Sequence, residues 1–190
     1  MGDERRAEVL RLYMGSLEQQ FNDAFVRYSD ELFRHCSMRL SDRERALELV
    51  QECFARSWEY AQHEGRHIQE LRPFLYRTLR HLIIDEYRRK KATSLEQLAE
   101  TKEMDAELLM PPAEDNTLEA AINRFEGKEA LQALQKLPDP YREVLLLRYV
   151  DELTPREAAV ATGESENVIS VRTHRALKKL KDILDQYETH

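Results

Sequence analysis

The sequence TPREAAVATGESENVISVRTHRALKKLK, residues 154 to 181, predicts two short helices joined by a tight turn. Thr154 is a good N-cap residue, Pro155 suits the first helical position, and Glu157 completes a capping box. The first helix is therefore expected to begin at Pro155. Gly163 is expected to end it, because glycine readily adopts the left-handed conformation that many helix ends need.

The second helix of this motif is strongly basic. Ser165 is its predicted cap, and no acidic residue occurs between residues 167 and 181. Its apolar positions recur at helical spacing: Ile169, Ala176, Leu177, Leu180 and Leu184. Its cationic positions are Arg172, His174, Arg175, Lys178, Lys179 and Lys181. A cationic helix presented by such a turn fits the DNA major groove, whereas a merely solvated charged helix would not need two caps and a glycine in this order.

Composition restricts the class of protein. The chain has 190 residues, of which 34% are charged, and it contains only five glycines, which favours a soluble all-α fold in one domain or two small ones. No apolar stretch approaches the ~20 residues needed to span a bilayer, and the N-terminus lacks a signal-peptide core. We therefore expect a cytoplasmic protein. Cys36 and Cys53 lie on apolar helix faces without metal-ligand spacing, so we predict buried thiols and neither a metal nor a cofactor.

The net charge of −7 is confined to one tract. Between Thr93 and Glu126 there are nine acidic residues against two basic ones, and the rest of the chain is neutral. The breaker-rich segment at residues 110 to 116, MPPAEDN, lies inside this tract. The tract therefore predicts an acidic linker between two helical domains.

The N-terminal half shows three helical patterns. One face of the first predicted helix carries Phe21, Phe25, Tyr28, Leu32 and Cys36. Ser41 to Glu44 reads as a second capping box, and the helix after it carries Ala46, Leu49, Val50, Cys53, Phe54, Ser57 and Trp58 at helical spacing. Pro73 is expected to open a third, basic helix. The pattern predicts a compact bundle in which Phe25, Phe54 and Trp58 are core residues.

Four segments resemble, in order, the signatures of bacterial sigma factors of the extracytoplasmic-function (ECF) type. LVQECF at residues 49 to 54 resembles their polymerase-binding signature, and residues 73 to 89 resemble their −10 helix. Residues 137 to 149 resemble the start of region 4, and residues 168 to 176 resemble its recognition helix. The resemblance implies two small helical domains.

These domains have boundaries that follow from the same resemblance. It implies an amphipathic extension at residues 1 to 19, region 2 at 20 to 92, the acidic linker at 93 to 117, and region 4 at 118 to 190. It further implies a transcription initiation factor, not an enzyme, that binds core RNA polymerase, directs it to −35 and −10 promoter elements and promotes melting of the −10 element. The implied partners are core RNA polymerase, promoter DNA and an anti-sigma protein, with no membrane contact and no catalytic residue.

The resemblance also assigns site residues. Candidates for −35 DNA are Arg148, Thr154, Arg156, Asn167, Ser170, Val171, Arg172, His174, Arg175, Lys178 and Lys179. Among them Arg172 and Arg175 are predicted to read base edges, since arginine pairs bidentately with guanine. Candidates for −10 DNA are Arg66, His67, Phe74, Tyr76, Arg77, Arg80, His81 and Arg88. Candidates for core polymerase are Leu49, Gln51, Glu52, Phe54 and Trp58.

The sequence departs from the family pattern at several positions. Arg45 and Leu47 replace an acidic pair that usually precedes the polymerase signature, His81 replaces a usual Asn, and Phe74 replaces a frequent Trp. In region 4, Thr162 occupies a position that is usually apolar.

Two other classes of protein share a motif with this chain. Residues 63 to 67, HEGRH, match the H-E-x-x-H signature of zinc proteases, but Gly65 weakens the helix that such a site needs. A stand-alone helix-turn-helix regulator would share the C-terminal motif. Such a regulator would carry a sensor domain in place of the basic N-terminal bundle.

Overall fold

The computed structural model describes residues 2 to 40, 42 to 63, 68 to 93 and 127 to 188, and within these ranges the backbone forms helices and no strand. The all-α prediction is confirmed. The chain divides into two compact units, Met1–Gln97 and Leu98–His190. The acidic linker falls in the segment from 94 to 126, outside the described residues.

The N-terminal unit is a bundle of three mutually packed helices, α1 (Gly2–Arg39), α2 (Arg43–Gln62) and α3 (Leu71–Thr93). Residues 2 to 19 of the predicted N-terminal extension belong to the same continuous helix as the rest of α1. The bundle core contains Leu32, Cys36, Leu49, Cys53, Leu75, Leu79 and Ile83, all at most 1% exposed. Both cysteines are buried, as predicted.

Two predicted helix starts are corrected. The N-cap of α2 is Asp42, not Ser41, because the Asp42 carboxylate accepts the Arg45 backbone N–H at 3.0 Å. Helix α3 begins at Leu71, two residues before Pro73. Proline is tolerated there because the N–H groups of the first helical turn have no intrahelical acceptor.

A buried carboxylate connects α2 to α3. The Glu86 side chain is 1% exposed, and its Oε2 accepts from the Arg45 Nε at 2.9 Å. The Arg89 Nη2 donates to Oε1, also at 2.9 Å. Burial alone would raise the pKa of Glu86, but the hydrogen bonds from Arg45 and Arg89 outweigh burial and lower this pKa. Arg45, which replaces an acid of the family pattern, therefore has a structural role.

The C-terminal unit contains α4 (Gly127–Lys136), α5 (Asp139–Leu145), α6 (Pro155–Thr162) and α7 (Glu166–Glu188). A π turn, Leu146–Val150, continues α5. The core lies between α7 and the helices packed on it and contains Ala133, Val144, Leu146, Leu153, Ala158, Ile169, Ala176, Leu180 and Leu184.

The predicted helix-turn-helix is confirmed in its details. Thr154 and Glu157 form a reciprocal capping box, with the Glu157 N–H donating to the Thr154 hydroxyl oxygen at 3.2 Å and the Glu157 carboxylate accepting the Thr154 N–H at 2.8 Å. Gly163 ends α6 with φ 77°. The Ser165 hydroxyl oxygen accepts the Val168 N–H at 3.3 Å, which caps α7. Buried Thr162 satisfies its hydroxyl by donating to the Ala158 carbonyl at 2.9 Å.

Candidate nucleic-acid and polymerase interfaces

Between residues 167 and 181, one face of α7 is free of acidic side chains. Asn167, Ser170, His174, Lys178 and Lys181 are three or four residues apart and therefore lie on the same side of the helix. All five are at least partly exposed, while Ile169, Ala176 and Leu180 are buried on the opposite side. We call these five residues the α7 face. Polar and cationic side chains in such a row can reach both base edges and phosphates.

Arg172 is paired across the turn of the motif. Its Nη1 and Nη2 donate to Oε2 and Oε1 of Glu164 at 2.6 and 2.8 Å. The two side chains are 17% and 29% exposed. This bidentate pair ties α7 to the residue just after Gly163, so Arg172 must leave Glu164 before it can pair with guanine. Sequence reasoning missed Glu164, because spacing within one helix does not reveal a partner in the preceding turn.

The other candidates of the C-terminal unit fall into three groups. Arg156, Lys178 and Lys179 are exposed, and Arg175 is partly exposed. Arg148 and Thr154 are already engaged, since the Arg148 guanidinium donates to the Leu153 carbonyl and Thr154 forms the capping box. Val171 is buried at 6% exposure, so it supports the motif from within.

The solvent face of α3 continues for several turns. Phe74, Arg77, His81 and Arg88 recur at helical spacing on the side opposite Leu75, Leu79 and Ile83. We call Phe74, Arg77, His81 and Arg88 the α3 face. Arg77, His81 and Arg88 are exposed, Phe74 and Arg80 are partly buried, and Arg66 and His67 lie outside the described residues. Partial desolvation of the His81 ring by its neighbours, then the charges of Arg80 and Arg77, lower the pKa of His81.

Tyr76 does not belong to this face. It is 1% exposed, and its ring packs edge-on against His35 at 5.3 Å between centroids. The Arg72 guanidinium lies 5.9 Å from the Tyr76 ring centroid and is bound at 2.9 Å by Glu31 of α1. Tyr76 is therefore a core residue that α1 and α3 share.

An apolar groove of about 260 Å³ runs between α1 and α2. It is lined by Glu18, Phe21, Asn22, Phe25, Phe54 and Trp58. Phe25 packs on Phe54 at 5.0 Å, and Phe21 packs on Trp58 at 5.2 Å, both edge to face. The prediction that Phe25 is a core residue is wrong, since it is 50% exposed.

The groove unites two predicted polymerase contacts with residues that sequence reasoning missed. Phe54 and Trp58 come from α2, whereas positions 18, 21, 22 and 25 form one stripe of α1. The signal was present in that spacing, but periodicity does not tell a covered stripe from an open one. Of the other candidates, Gln51 is exposed, Glu52 pairs with Arg56 at 2.5 Å, and Leu49 is buried in the bundle core.

The described residues contain no group of three or more His, Cys, Asp or Glu side chains placed to hold a metal ion. Of the H-E-x-x-H match, residues 64 to 67 lie outside the described part of the chain. None of the described helices combines the length and the apolarity needed to cross a membrane.

Comparison with known families identifies both units. Residues 24–93 match the family model of Sigma-70 region 2, and residues 128–180 match that of Sigma-70, region 4. ECF RNA polymerase sigma factor SigD of Mycobacterium tuberculosis is 32% identical over 158 residues, covering 78% of this chain and 69% of the relative. The chain belongs to the ECF group of the sigma-70 family. It is a transcription initiation factor, and the family is not enzymatic.

One further relative is similar in sequence, and two solved structures share the fold. ECF RNA polymerase sigma factor SigW of Bacillus subtilis is 26% identical over 173 residues, covering 86% of this sigma factor and 88% of the relative. The sigma factor RpoE in complex with the anti-sigma factor NepR from Bartonella quintana shares the fold, with a TM-score of 0.64 and 20% identity over 88% of this chain and 98% of that one. CnrH in complex with the cytosolic domain of CnrY has a TM-score of 0.62 and 21% identity, covering 89% and 90%.

Proposed function

We propose that this sigma factor binds core RNA polymerase, recognises −35 and −10 promoter elements and promotes melting of the −10 element. The observation that carries the proposal is the acid-free α7 face within a chain whose net charge is −7. A surface that excludes carboxylates along several helical turns is suited to a polyanion, because phosphate contacts dominate the affinity of proteins for DNA.

In the C-terminal unit, α7 is proposed to enter the major groove of the −35 element. Asn167, Ser170 and His174 lie toward its N-terminal half, the part that contacts base edges in helix-turn-helix proteins. Arg175 follows as a candidate for guanine. The exposed Arg156, Lys178 and Lys179 are proposed phosphate contacts, which fix register without reading sequence.

In the N-terminal unit, the α3 face is proposed to follow the melted −10 strand. Arg77 and Arg88 supply exposed cations for the backbone, and His81 stands where the family usually has Asn. Because its lowered pKa favours the neutral form near pH 7, His81 offers a hydrogen-bond donor and an acceptor to a base edge.

The groove between α1 and α2 is the proposed polymerase contact. Phe25 exposes half of its surface beside Phe54 and Trp58, and a partly buried aromatic cluster is the usual centre of a strong protein interface. We propose that an anti-sigma partner competes for this sigma factor, since RpoE, which shares its fold, was solved in complex with the anti-sigma factor NepR.

The test is to mix the purified chain with core bacterial RNA polymerase and measure complex formation and transcription from promoter fragments of the source genome. Phe25→Ala, in the groove, should weaken the polymerase complex at least ten-fold, the range of an interface hot spot. Val26→Ala is the matched control, because Val26 is the adjacent residue and is exposed but does not line the groove.

Failure of the wild-type chain to bind polymerase, with DNA binding intact, would favour a stand-alone regulator. Equal loss of polymerase binding in Phe25→Ala and Val26→Ala would argue against the groove. For the −35 contact, Lys178→Gln should weaken binding similarly to all DNA sequences and reduce the salt dependence by about one phosphate contact.

A further inference from the structure

An exposed leucine continues the apolar side of the groove toward the loop that joins α1 to α2. Leu47 lies in the second turn of α2 and is 51% exposed. Leu47, Gln51, Phe54 and Trp58 are four, three and four residues apart, so they lie on one side of α2. We call these four residues the α2 stripe. Phe54 and Trp58 line the groove, and Leu47 adds an apolar end outside it.

Helix α1 provides a second apolar residue at this end of the hairpin. Phe33 is partly exposed, and the Arg43 guanidinium of α2 lies 4.9 Å from the centroid of its ring. Arg43 is one helical turn before Leu47, whereas the contact between Phe25 and Phe54 is two turns after it. At 1.5 Å per residue, the apolar surface therefore extends ~10 Å beyond the aromatic pairs of the groove.

The charges nearest to Leu47 balance one another. Arg43 and Glu44, just before it, have opposite signs, and Arg45 donates to Glu48 at 2.7 Å. Positions 45 and 47 are those at which the family pattern has an acidic pair, so this chain presents neither of those carboxylates. An apolar patch with a charged rim is typical of protein interaction sites, and this one suits an apolar partner group better than a cation.

We propose that Leu47 is a further polymerase-contact residue, which packs on an apolar side chain of core RNA polymerase where the family pattern has a carboxylate. This inference rests on the proposed function and names the chemistry of the partner surface. Polymerase is the occupant because a partner that covers Phe54 and Trp58 continues over Leu47 on the same side of one helix. A polymerase with a cation at this point would be disfavoured, since the cation would lose its acceptor.

The test measures the affinity of the full chain for core polymerase, by fluorescence anisotropy of the end-labelled chain. Leu47→Glu restores the acid of the family pattern and should weaken the complex at least ten-fold, because it places a charge against an apolar surface. Leu47→Gln should also weaken it, by an amount independent of ionic strength, since salt does not screen an apolar contact. Leu47→Met should bind within about two-fold of wild type.

These variants leave α2 itself intact, since Leu, Met, Gln and Glu have similar helix propensities. Ala55→Glu is the matched control for the added charge. Ala55 is an exposed residue of α2 that lies outside the α2 stripe and does not line the groove, so this variant should bind within about two-fold of wild type.

Several outcomes would overturn the Leu47 contact. Unchanged or tighter polymerase binding by Leu47→Glu, with a loss in Phe25→Ala, would overturn it and leave the proposed function intact. Equal losses in Leu47→Glu and Ala55→Glu would show general repulsion instead of a local contact. A free chain that dimerises, and that Leu47→Glu makes monomeric, would assign the α2 stripe to a second copy. A wild-type chain that does not bind core polymerase would overturn the proposed function and the Leu47 contact together.

Discussion

The two units hold the helices that we propose to contact DNA by different means. In the N-terminal unit, α3 is fixed by Glu86, a carboxylate that is 1% exposed and bound by Arg45 of α2. In the C-terminal unit, α7 is fixed by local backbone geometry, namely the capping box at Thr154, the left-handed Gly163 and the cap at Ser165, with a partly exposed ion pair added.

Because one unit relies on a buried ion pair and the other on a partly exposed one, single substitutions should lower their stability by different amounts. Removing one partner of a buried ion pair leaves the other charge poorly solvated, which is strongly destabilising. Removing one partner of an exposed pair costs little, because water replaces it. The buried ion pair between α2 and α3 therefore depends on one side chain, whereas the local geometry that holds α7 is shared among several backbone contacts.

The largest expected effect is that of Glu86→Gln. The substitution removes the buried charge that Arg45 and Arg89 share, while Arg45 keeps its pair with Glu48 at 2.7 Å, and it should reduce the free energy of unfolding of the N-terminal unit by about 2 kcal/mol. Urea denaturation followed by circular dichroism of the full chain measures this loss. Asp85→Asn is the matched control: Asp85 is the adjacent, exposed carboxylate, and its substitution should cost less than about 0.5 kcal/mol. Similar losses for both would contradict a special role for burial.

The pH dependence of the unfolding free energy provides a second test of the buried Glu86 carboxylate. The folded-state pKa of Glu86 is lowered, so its contribution to stability is present above the unfolded carboxyl pKa of about 4.3 and disappears as the pH falls through the folded value. The difference in unfolding free energy between wild type and Glu86→Gln should therefore be constant near neutrality and shrink below about pH 4. Denaturant titrations at a series of pH values test this, and a pH-independent difference would refute it.

Gly163→Ala tests how much the left-handed conformation of residue 163, at the end of α6, contributes to the stability of the C-terminal unit. A Cβ at this glycine meets no atom within 4 Å, so the cost comes from φ 77° alone and should be about 1 kcal/mol. Gly15→Ala is the opposite case, since Gly15 lies within α1 and also has open space around it. That substitution should stabilise the N-terminal unit by about 0.5 to 1 kcal/mol. Thermal unfolding of both variants provides the comparison.

The smallest effect on stability is expected from Glu164→Gln. The pair with Arg172 is partly exposed, so its loss should cost less than about 1 kcal/mol. The substitution releases Arg172 and removes a negative charge near DNA, so −35 affinity should rise a few-fold. A double-mutant cycle with Arg172→Ala isolates the pair. If the increase persists in the Arg172→Ala background, it does not come from release of Arg172.

The sequence predicted much of this architecture because its helix ends carry strong local signals. Thr154, Gly163 and Ser165 act where they were expected, since caps depend on residues within one turn. Ser41 and Asp42 are both good caps, and only the structure decides between them. Phe25 was misjudged because periodicity identifies a face of a helix, but the neighbouring helices determine whether that face is covered. Tyr76 was assigned to DNA by resemblance, which carries no information on burial.

The reactivity of the two cysteines can be used as a probe of unfolding. Both are fully buried in the N-terminal unit, burial raises the pKa of each thiol to about 12, and the chain contains no other cysteine. A native bundle should therefore be almost inert to thiol reagents, which attack the thiolate. Any rapid modification reports the opening of this unit alone. The protein thus carries a built-in probe that separates unfolding of its N-terminal half from events in its C-terminal half, without an added label.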